Sequence, residues 1–249
     1  KVAIVDPGPD DPAHVQAVLN AVRNETVTHI LITHTHIDHS PATGAVKQAT
    51  GATTYGFGPH PTRPDGGAEE SGDHEFRPDV VTKDGEVISG QGWTVDALHT
   101  PGHISNHLCF GVREEKTLFS GDHVMGWSTS VISPPDGDMK SYMNSLRKLL
   151  PRDDQLFIPT HGAEIRDPQN FVKAYMAHRE DRERQILSCL REGIDTIPAM
   201  VKKMYAAVDP RLHPAAARSV LAHIIHMIET GRVLSDGPPT VSTRYKLAS

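Results

Sequence analysis

Four side chains that can bind metal ions stand within six positions near the start of the chain. Residues 31–41 read LITHTHIDHSP and contain His34, His36, Asp38 and His39 directly after an apolar run. Imidazole and carboxylate groups are the usual ligands of catalytic zinc, which keeps one position open for water. Because alternate residues of an extended chain point to the same side, we expect His34 and His36 to bind one ion. Six positions cannot complete a coordination shell, so further ligands are required elsewhere.

Three such candidates each follow a different strand-like run. His103 lies in LHTPGHISNH, Asp122 in TLFSGDHVMG and His161 in LFIPTHGAEI. Together with the first cluster they offer seven ligands for two metal ions. We expect the first ion to take His34, His36 and His103, the second to take Asp38, His39 and His161, and Asp122 to bridge them.

The elements that must position these residues alternate between strands and helices. Short runs rich in β-branched residues predict strands in KVAIVD, TVTHILIT, ATTYGF, EVIS, WTVDAL, HLCFGV, TLFSG and QLFIP. Asp11 with Pro12, Ser40 with Pro41, and Asp138 are expected to begin helices, the second of which ends at Gly51. This alternation predicts an α/β fold in layers. Residues 62–79 form a polar, turn-rich loop that is a candidate border of the site.

The pattern changes after about residue 165. Residues 168–192, 196–208 and 213–230 have the spacing of three helices, and two short strands follow them. Three helices followed by a hairpin are typical of a winged-helix module. We therefore predict a catalytic domain over residues 1–165 and a mainly helical, winged-helix-like domain over residues 166–249.

The motifs, taken in chain order, resemble those of one known family. IVDPG, THTHIDH, TPGH, SGDH and PTHG are similar to the motifs of the metallo-β-lactamase superfamily of metallohydrolases. The resemblance implies an αββα sandwich with a two-metal site at one edge of its sheets, and it gives the same seven ligands. It also implies that Asp6 supports a ligand from behind, and that further strands precede Val2. Thr160 stands where the family often has glycine.

The C-terminal third resembles the β-lactamase-like protein 2 branch of this superfamily. The segments YMNSLRKLL and AYMAHREDRERQIL carry the similarity, together with the three helices and the hairpin. Members of the branch have a winged-helix-like domain after the catalytic one. The resemblance implies a hydrolase, and one member of the branch cleaves single-stranded RNA.

Two cations about 3.5 to 4 Å apart would hold a bridging hydroxide and polarise the bond under attack. Asp38 and Asp122 are the expected catalytic residues, since they would orient this hydroxide. Zinc fits a set of histidine and carboxylate ligands without thiolate, and iron or manganese are alternatives. His107 and His123 either protonate the leaving group or support the site. The substrate-lining candidates are Trp127, Ser128 and Thr129, although Trp127 could instead pack between the domains.

Charge and composition bear on the substrate. The net charge is −6, and residues 1–163 hold 12 basic and 21 acidic side chains, a balance that repels polyanions. We therefore expect a small carbonyl substrate, namely a thioester, ester, lactone or lactam. The alternative is an endoribonuclease that cleaves single-stranded RNA, with the mildly basic C-terminal domain as its support. A binding module with a relic site is disfavoured because all seven ligands are present.

The remaining expectations concern the surroundings of the protein. Two widely separated cysteines within apolar segments, Cys109 and Cys189, indicate buried thiols in a reducing compartment, so a cytoplasmic location is expected. No apolar run approaches the length of about 20 residues that spans a bilayer. We expect no membrane partner, and the sequence does not indicate an oligomeric state.

Overall fold

Two β-sheets packed face to face form the larger part of the computed structural model, which describes residues 1–61 and 72–248. The first sheet is all parallel, with strands β1 (Val2–Val5), β2 (Val27–Leu31), β3 (Thr53–Gly56) and β4 (Val80–Val81) in that order. The second sheet contains β5 (Val87–Gly90), β6 (Trp93–His99), β7 (Leu108–Val112), β8 (Thr117–Gly121) and β9 (Leu156–Pro159). Its neighbouring strands are antiparallel except for the parallel pair β8 and β9.

Helices cover the outer face of each sheet. The two helices α1 (Pro12–Ala21) and α2 (Thr43–Thr50) share an apolar cluster with the first sheet. The helix α3 (Met139–Leu149) and the first half of α4 (Pro168–Arg191) share another with the second sheet. Between the sheets lies a separate core that includes the buried side chains of Leu31 and Phe110. The predicted αββα sandwich is therefore confirmed.

Most predicted strands are present, and helix α1 begins as expected. Asp11 caps this helix, because its carboxylate accepts a hydrogen bond of 2.9 Å from the backbone N–H of His14. The short strand β4 follows the polar loop and was not predicted. Residues 62–71 of that loop lie outside the described part of the chain.

The predicted start of helix α2 was wrong. The helix begins at Thr43 rather than at Ser40 and Pro41, although it ends at Gly51 as expected. The Ser40 hydroxyl donates to the carboxylate of Asp73 at 2.6 Å and so does not cap the helix. A turn occupies the preceding residues, in which the backbone N–H of His39 donates to the carbonyl of His36.

The C-terminal part has the winged-helix order of elements. Its helices are the second half of α4, α5 (Ile197–Met204) and α6 (His213–Glu229), and its antiparallel strands are β10 (Val233–Ser235) and β11 (Tyr245–Leu247). A further apolar cluster joins them. Helix α4 contributes Tyr175 to the core of the second sheet and Ile186 to the C-terminal core. The predicted boundary at residue 165 stays a prediction, since this one helix packs in both cores.

Two smaller expectations concern the thiols and the membrane. Both cysteines are free and buried, and burial raises the pKa of Cys109 to about 12, so this thiol stays protonated. Within the described residues, no helix has the length and apolar character needed to cross a bilayer.

Candidate active site

The ends of five strands meet at one edge of the sandwich and bring the predicted ligands together. In the first sheet β1 and β2 run parallel, so Asp6 and the histidine cluster follow strands that end on the same side. In the second sheet β6, β8 and β9 share one direction, because β6 and β8 are both antiparallel to β7 and β9 is parallel to β8. The chain segments after these strands carry the remaining ligands, which are His103, Asp122 and His161.

The first group of potential ligands is formed by three histidines. The Nε2 atoms of His34 and His103 lie 2.9 and 3.0 Å from the Nδ1 atom of His36. The ligand atoms of all three residues lie within 4.8 Å of one another. They form one compact set of ring nitrogens that faces a common space.

Hydrogen bonds behind these histidines determine which ring nitrogen carries the proton. Thr33 donates its hydroxyl hydrogen to Asp6 at 2.6 Å, so its oxygen accepts from the Nδ1 atom of His34 at 3.0 Å. The carbonyl of Val131 accepts from the Nδ1 atom of His103 at 2.6 Å. The Nε2 atoms of His34 and His103 are therefore left without a proton. Each can bind a cation, as histidines oriented in this way do in metal sites.

The second group consists of Asp38, His39 and His161. The Nε2 atom of His161 lies 3.1 Å from one oxygen of Asp38, and the Nε2 atom of His39 lies 3.5 Å from the other. Asp6 accepts from the Nδ1 atom of His39 at 3.0 Å, which turns the Nε2 atom toward the group. This buried Nε2 atom has no hydrogen-bond partner among the described residues.

Asp122 stands between the two groups. One carboxylate oxygen lies 3.7 Å from the Nε2 atom of His103 in the first group. The other lies 3.5 Å from His161 and 3.6 Å from His39 in the second, and it is buried without a hydrogen-bond partner within the described chain. A single carboxylate thus faces both groups, as the bridging prediction requires.

The electrostatics of the cluster suit a bound cation. Burial lowers the pKa of His103 to about 4 and that of His34 well below its usual value, so both rings are neutral at pH 7. Burial would also lower the pKa of His39, but the carboxylates of Asp122, Asp38 and Asp6 raise it well above its usual value. These carboxylates attract positive charge, and a divalent cation provides it without a proton.

The donor set and the unpaired buried atoms fit divalent metal ions. Neutral imidazole and carboxylate are hard-to-borderline ligands suited to zinc, iron or manganese. The buried Nε2 atom of His39 and the buried oxygen of Asp122 would otherwise remain unpaired, which costs free energy. The first group offers three ligand atoms and the second offers three, in addition to the shared carboxylate.

Asp6 supports both groups from the end of strand β1. Its carboxylate accepts from the backbone N–H of Thr33 at 2.7 Å, as well as from the Thr33 hydroxyl and the His39 ring. Its backbone φ angle is 46°, a left-handed conformation that is uncommon outside glycine. Such strain persists at functional sites when several contacts hold the residue in place.

The side chains of His107 and His123 are fully buried, and protonation of a leaving group by either of them stays a prediction. The Nε2 atom of His107 accepts from the backbone N–H of Asp122 at 3.1 Å, so His107 helps to position that residue. The His123 ring packs edge-on against Tyr142, and burial lowers its pKa to about 3. Neither ring nitrogen of His123 has a hydrogen-bond partner in the part of the chain that the structure describes.

The loop after Asp122 passes over the second group. Trp127 is 72% exposed and stacks on His161, with ring centroids 5.7 Å apart and planes 5° apart, so it does not pack between domains. Ser128 is exposed and Thr129 partly exposed. Gly126 and Gly162 allow this arrangement, because a Cβ atom on Gly162 would lie 2.6 Å from the Gly126 carbonyl carbon. Substrate contact by this loop stays a prediction.

Comparison with known proteins identifies the family. The profile of the metallo-β-lactamase superfamily matches residues 1–161, and that of the β-lactamase-associated winged-helix domain matches residues 196–238. The chain belongs to the metallo-β-lactamase superfamily. It is a hydrolase of this superfamily, whose members bind divalent metal ions. The family and branch predicted from the motifs are confirmed.

Individual relatives agree with this assignment. The chain is 31% identical to a β-lactamase-like protein 2 homolog of Drosophila melanogaster, over 92% of this chain and 79% of that protein. It is 33% identical to an atrochrysone carboxyl ACP thioesterase of Aspergillus fumigatus, over 71% of this chain and 51% of that protein. A metallo-β-lactamase family protein of Thermus thermophilus superposes with a TM-score of 0.78 at 23% identity, covering 99% of this chain and 90% of that protein.

Several supporting residues were not predicted from the sequence. Thr33 stands directly before His34, so its hydroxyl could have been predicted to bind that ring. The partner of His103 is the backbone carbonyl of Val131, which the residue type does not indicate. Tyr175 and Arg179 of helix α4 also contact the loop after Asp122. These contacts could not be predicted, because the two residues lie far from the loop in the chain.

Proposed function

We propose that the protein is a dinuclear metal-dependent hydrolase that acts on a small carbonyl substrate, with thioesters as the first class to test. The observation that carries the two-metal part is the carboxylate of Asp122, which faces both histidine groups. Zinc is the proposed metal, with iron or manganese as alternatives. The proposed ligands are His34, His36 and His103 for one ion and Asp38, His39 and His161 for the other, with Asp122 shared. When bound, such cations lower the pKa of water toward about 7 and polarise a carbonyl oxygen.

The chain itself supplies orientation and charge. The carboxylates of Asp38 and Asp122 can accept hydrogen bonds, and they are proposed to orient the attacking water. The adjacent His39 ring, whose Nε2 atom lies 3.5 Å from the carboxylate, holds the pKa of Asp38 well below its usual range. Burial would raise the pKa of Asp122, but His39, His103 and His161 hold it below its usual value. Both groups are therefore ionised at neutral pH and available as acceptors.

The rim of the site supports a substrate with an apolar part. Three exposed large apolar side chains adjoin the proposed ligands, and they are Ile37, Trp127 and Val131. Ile37 lies between His36 and Asp38 in the chain, Trp127 stacks on His161, and the carbonyl of Val131 binds His103. Such a rim suits the acyl part of an ester or thioester, whereas phosphodiester binding depends on cations. A relative bearing the name of a thioesterase agrees with this proposal.

Ribonuclease activity is the second candidate, and the winged-helix match favours it. The third helix of such modules usually enters the groove of a nucleic acid. Here helix α6 buries seven of its residues, and its cations are few. Recognition of RNA by this helix is therefore the weaker proposal.

One pair of assays separates the two candidates. Zinc-loaded protein is given a panel of acyl thioesters, esters, lactones and lactams, and in parallel a labelled single-stranded RNA. Asp38→Ala is the inactive variant, and Asp153→Asn is the control because Asp153 is exposed and pairs with Lys116 rather than with a proposed ligand. We expect turnover of a thioester that Asp38→Ala abolishes and Asp153→Asn retains.

Three outcomes would contradict the proposal. The carbonyl substrate class fails if no member of the panel is turned over. RNA cleavage that is lost in Asp38→Ala would favour the second candidate, whereas RNA cleavage that survives this substitution indicates a contaminant. Fewer than two metal ions per chain by elemental analysis would exclude the dinuclear site.

A further inference from the structure

The loop of residues 124–132, called the site loop below, is held by its backbone carbonyls from two directions. On one side the Tyr175 hydroxyl lies within hydrogen-bonding distance of the carbonyls of Met125 and Ser128, which share its single hydrogen. The Arg179 guanidinium donates through Nη2 to the carbonyl of Ser130. Both donors belong to helix α4, which also packs in the core of the C-terminal unit.

On the other side the site loop contacts a proposed metal ligand. The carbonyl of Val131, the residue after Ser130, accepts the Nδ1 hydrogen bond of His103 at 2.6 Å. Arg179 and His103 thus bind two consecutive carbonyls of the same loop. A shift of the Ser130–Val131 peptide would change the orientation of the His103 ring and the direction of its Nε2 atom.

Arg179 is an unusual residue for this position, because its side chain is only 3% exposed. A guanidinium stays charged at any ordinary pH, so burying it is costly unless its charge is compensated. Its described contacts are the Ser130 carbonyl and the face of the Tyr142 ring, whose centroid lies 5.1 Å away. No carboxylate forms an ion pair with it within residues 1–61 and 72–248. A neutral side chain would fill the same space at lower cost, which points to a positional requirement.

We propose that Arg179 is a positioning residue of the metal site. It fixes the Ser130–Val131 peptide and, through it, the hydrogen bond that orients His103. The proposal rests on the assignment of His103 as a metal ligand made above. It gives the C-terminal unit a role in the active site, since helix α4 reaches from the core of that unit to the site loop.

The test measures zinc binding and the environment of Trp127. Zinc affinity is determined by competition with a chromophoric chelator. Trp127 is followed by acrylamide quenching of its fluorescence in a Trp93→Phe background, since the chain has two tryptophans. Loss of a group that orients a metal ligand typically weakens metal affinity by about 10- to 100-fold. We expect Arg179→Met to raise the zinc Kd within this range and to increase quenching of Trp127.

Two further variants distinguish positioning from simple loss of stability. Arg179→Lys keeps a cationic donor and should recover part of the zinc affinity. Arg182→Met is the matched control, because Arg182 lies on the same helix but stacks on Tyr205 at 4.8 Å, away from the site loop. We expect this control to keep the wild-type zinc Kd and Trp127 quenching even if it lowers the melting temperature.

The proposal is overturned if folded Arg179→Met binds zinc with the wild-type Kd and leaves Trp127 quenching unchanged. Should Arg179→Met fail to fold, Tyr175→Phe decides by the same two measurements, since it removes the donor to Met125 and Ser128 and keeps the ring. His103→Ala separates this failure from failure of the site itself. If His103→Ala weakens zinc binding and the helix α4 variants do not, only the positioning role is wrong. If His103→Ala leaves zinc binding intact, both assignments are wrong.

Discussion

Two clusters of the described residues combine histidines with carboxylates and differ in what balances their charge. One is the candidate metal site at the edge of the sheets. The other, called the α4–α6 cluster, contains Glu183 of helix α4, His223 and His226 of helix α6, and Arg232 after that helix. One oxygen of Glu183 accepts from His226 at 2.7 Å, and the other accepts from Arg232 at 2.6 Å.

The difference lies in what neutralises the carboxylates. In the α4–α6 cluster a single carboxylate is satisfied by N–H donors, one of which is a permanent guanidinium cation. At the metal site several carboxylates face ring nitrogens whose protons are held on the far side by Thr33, Val131 and Asp6. The first arrangement contains its own cation, whereas the second attracts one. The two clusters therefore differ in the Arg232 cation that pairs with Glu183, and in the hydrogen bonds that hold the ring protons of His34, His103 and His39 away from the carboxylates.

The largest effect is expected from removing the shared charge at the metal site. Asp122→Asn keeps the size of the side chain but removes the carboxylate that faces both groups. We expect kcat/KM to fall by about 10³-fold or more, the scale for losing a group that stabilises the transition state. Metal content should fall below two ions per chain. Steady-state kinetics and elemental analysis check this, and unchanged values for both would refute the bridging role.

Metal removal is expected to destabilise the protein through the same site. A ligand present at about 1,000 times its Kd stabilises the native state by about 4 kcal/mol. The free energy of unfolding measured in urea should therefore be higher with added zinc than with chelator, by about 4 kcal/mol. The α4–α6 cluster needs no metal, so Glu183→Gln should show the same gain on zinc addition. A gain that disappears in Glu183→Gln would show that the two clusters are not independent.

A smaller effect is expected from breaking the α4–α6 cluster itself. Glu183→Gln leaves Arg232 and the neighbouring histidines without their carboxylate, and we expect the free energy of unfolding to fall by about 2 kcal/mol. Zinc stoichiometry should be unchanged. Glu229→Gln is the matched control, because Glu229 is exposed and lies 3.6 Å from Lys140, and its loss should cost under about 1 kcal/mol. Equal losses in the two variants would contradict the comparison.

The α4–α6 cluster should also make the stability of the protein depend on pH in the acid range. Burial would raise the pKa of Glu183, but His223, His226 and Arg232 hold it well below its usual value. Because the folded pKa is depressed, the stabilisation is present above the ordinary glutamate pKa of about 4.3 and is lost as pH falls through the folded pKa. The difference in unfolding free energy between wild type and Glu183→Gln should shrink from pH 5 to pH 3, and a constant difference would contradict this.

Local patterns predicted much of the fold. Asp11 and Pro12 begin helix α1 as expected, Gly51 ends helix α2, and the runs of β-branched residues coincide with strands. These features depend on neighbours in the chain, which a sequence displays directly. The grouping of the predicted ligands follows from the same source, because each candidate stands just after a predicted strand.

Features that depend on distant contacts were not predictable. No carboxylate stands near His223 and His226 in the chain apart from Glu229, yet Glu183 contacts both from 40 or more positions away. Ser40 was expected to cap a helix and instead binds Asp73, which follows the loop. In each case tertiary packing brought a partner that no spacing rule indicates, and the partner determined what the side chain does.

The contact between Gly126 and Gly162 limits how this enzyme can be altered. The backbones of the two turns touch without a side chain between them, and the N–H of Gly126 donates to the carbonyl of His161 at 2.8 Å. The segment that carries Trp127 and the turn that carries His161 therefore pack as one structural unit. Loop grafting would have to exchange both turns together, because a side chain at either glycine would meet the backbone of the other turn and displace Trp127 from His161.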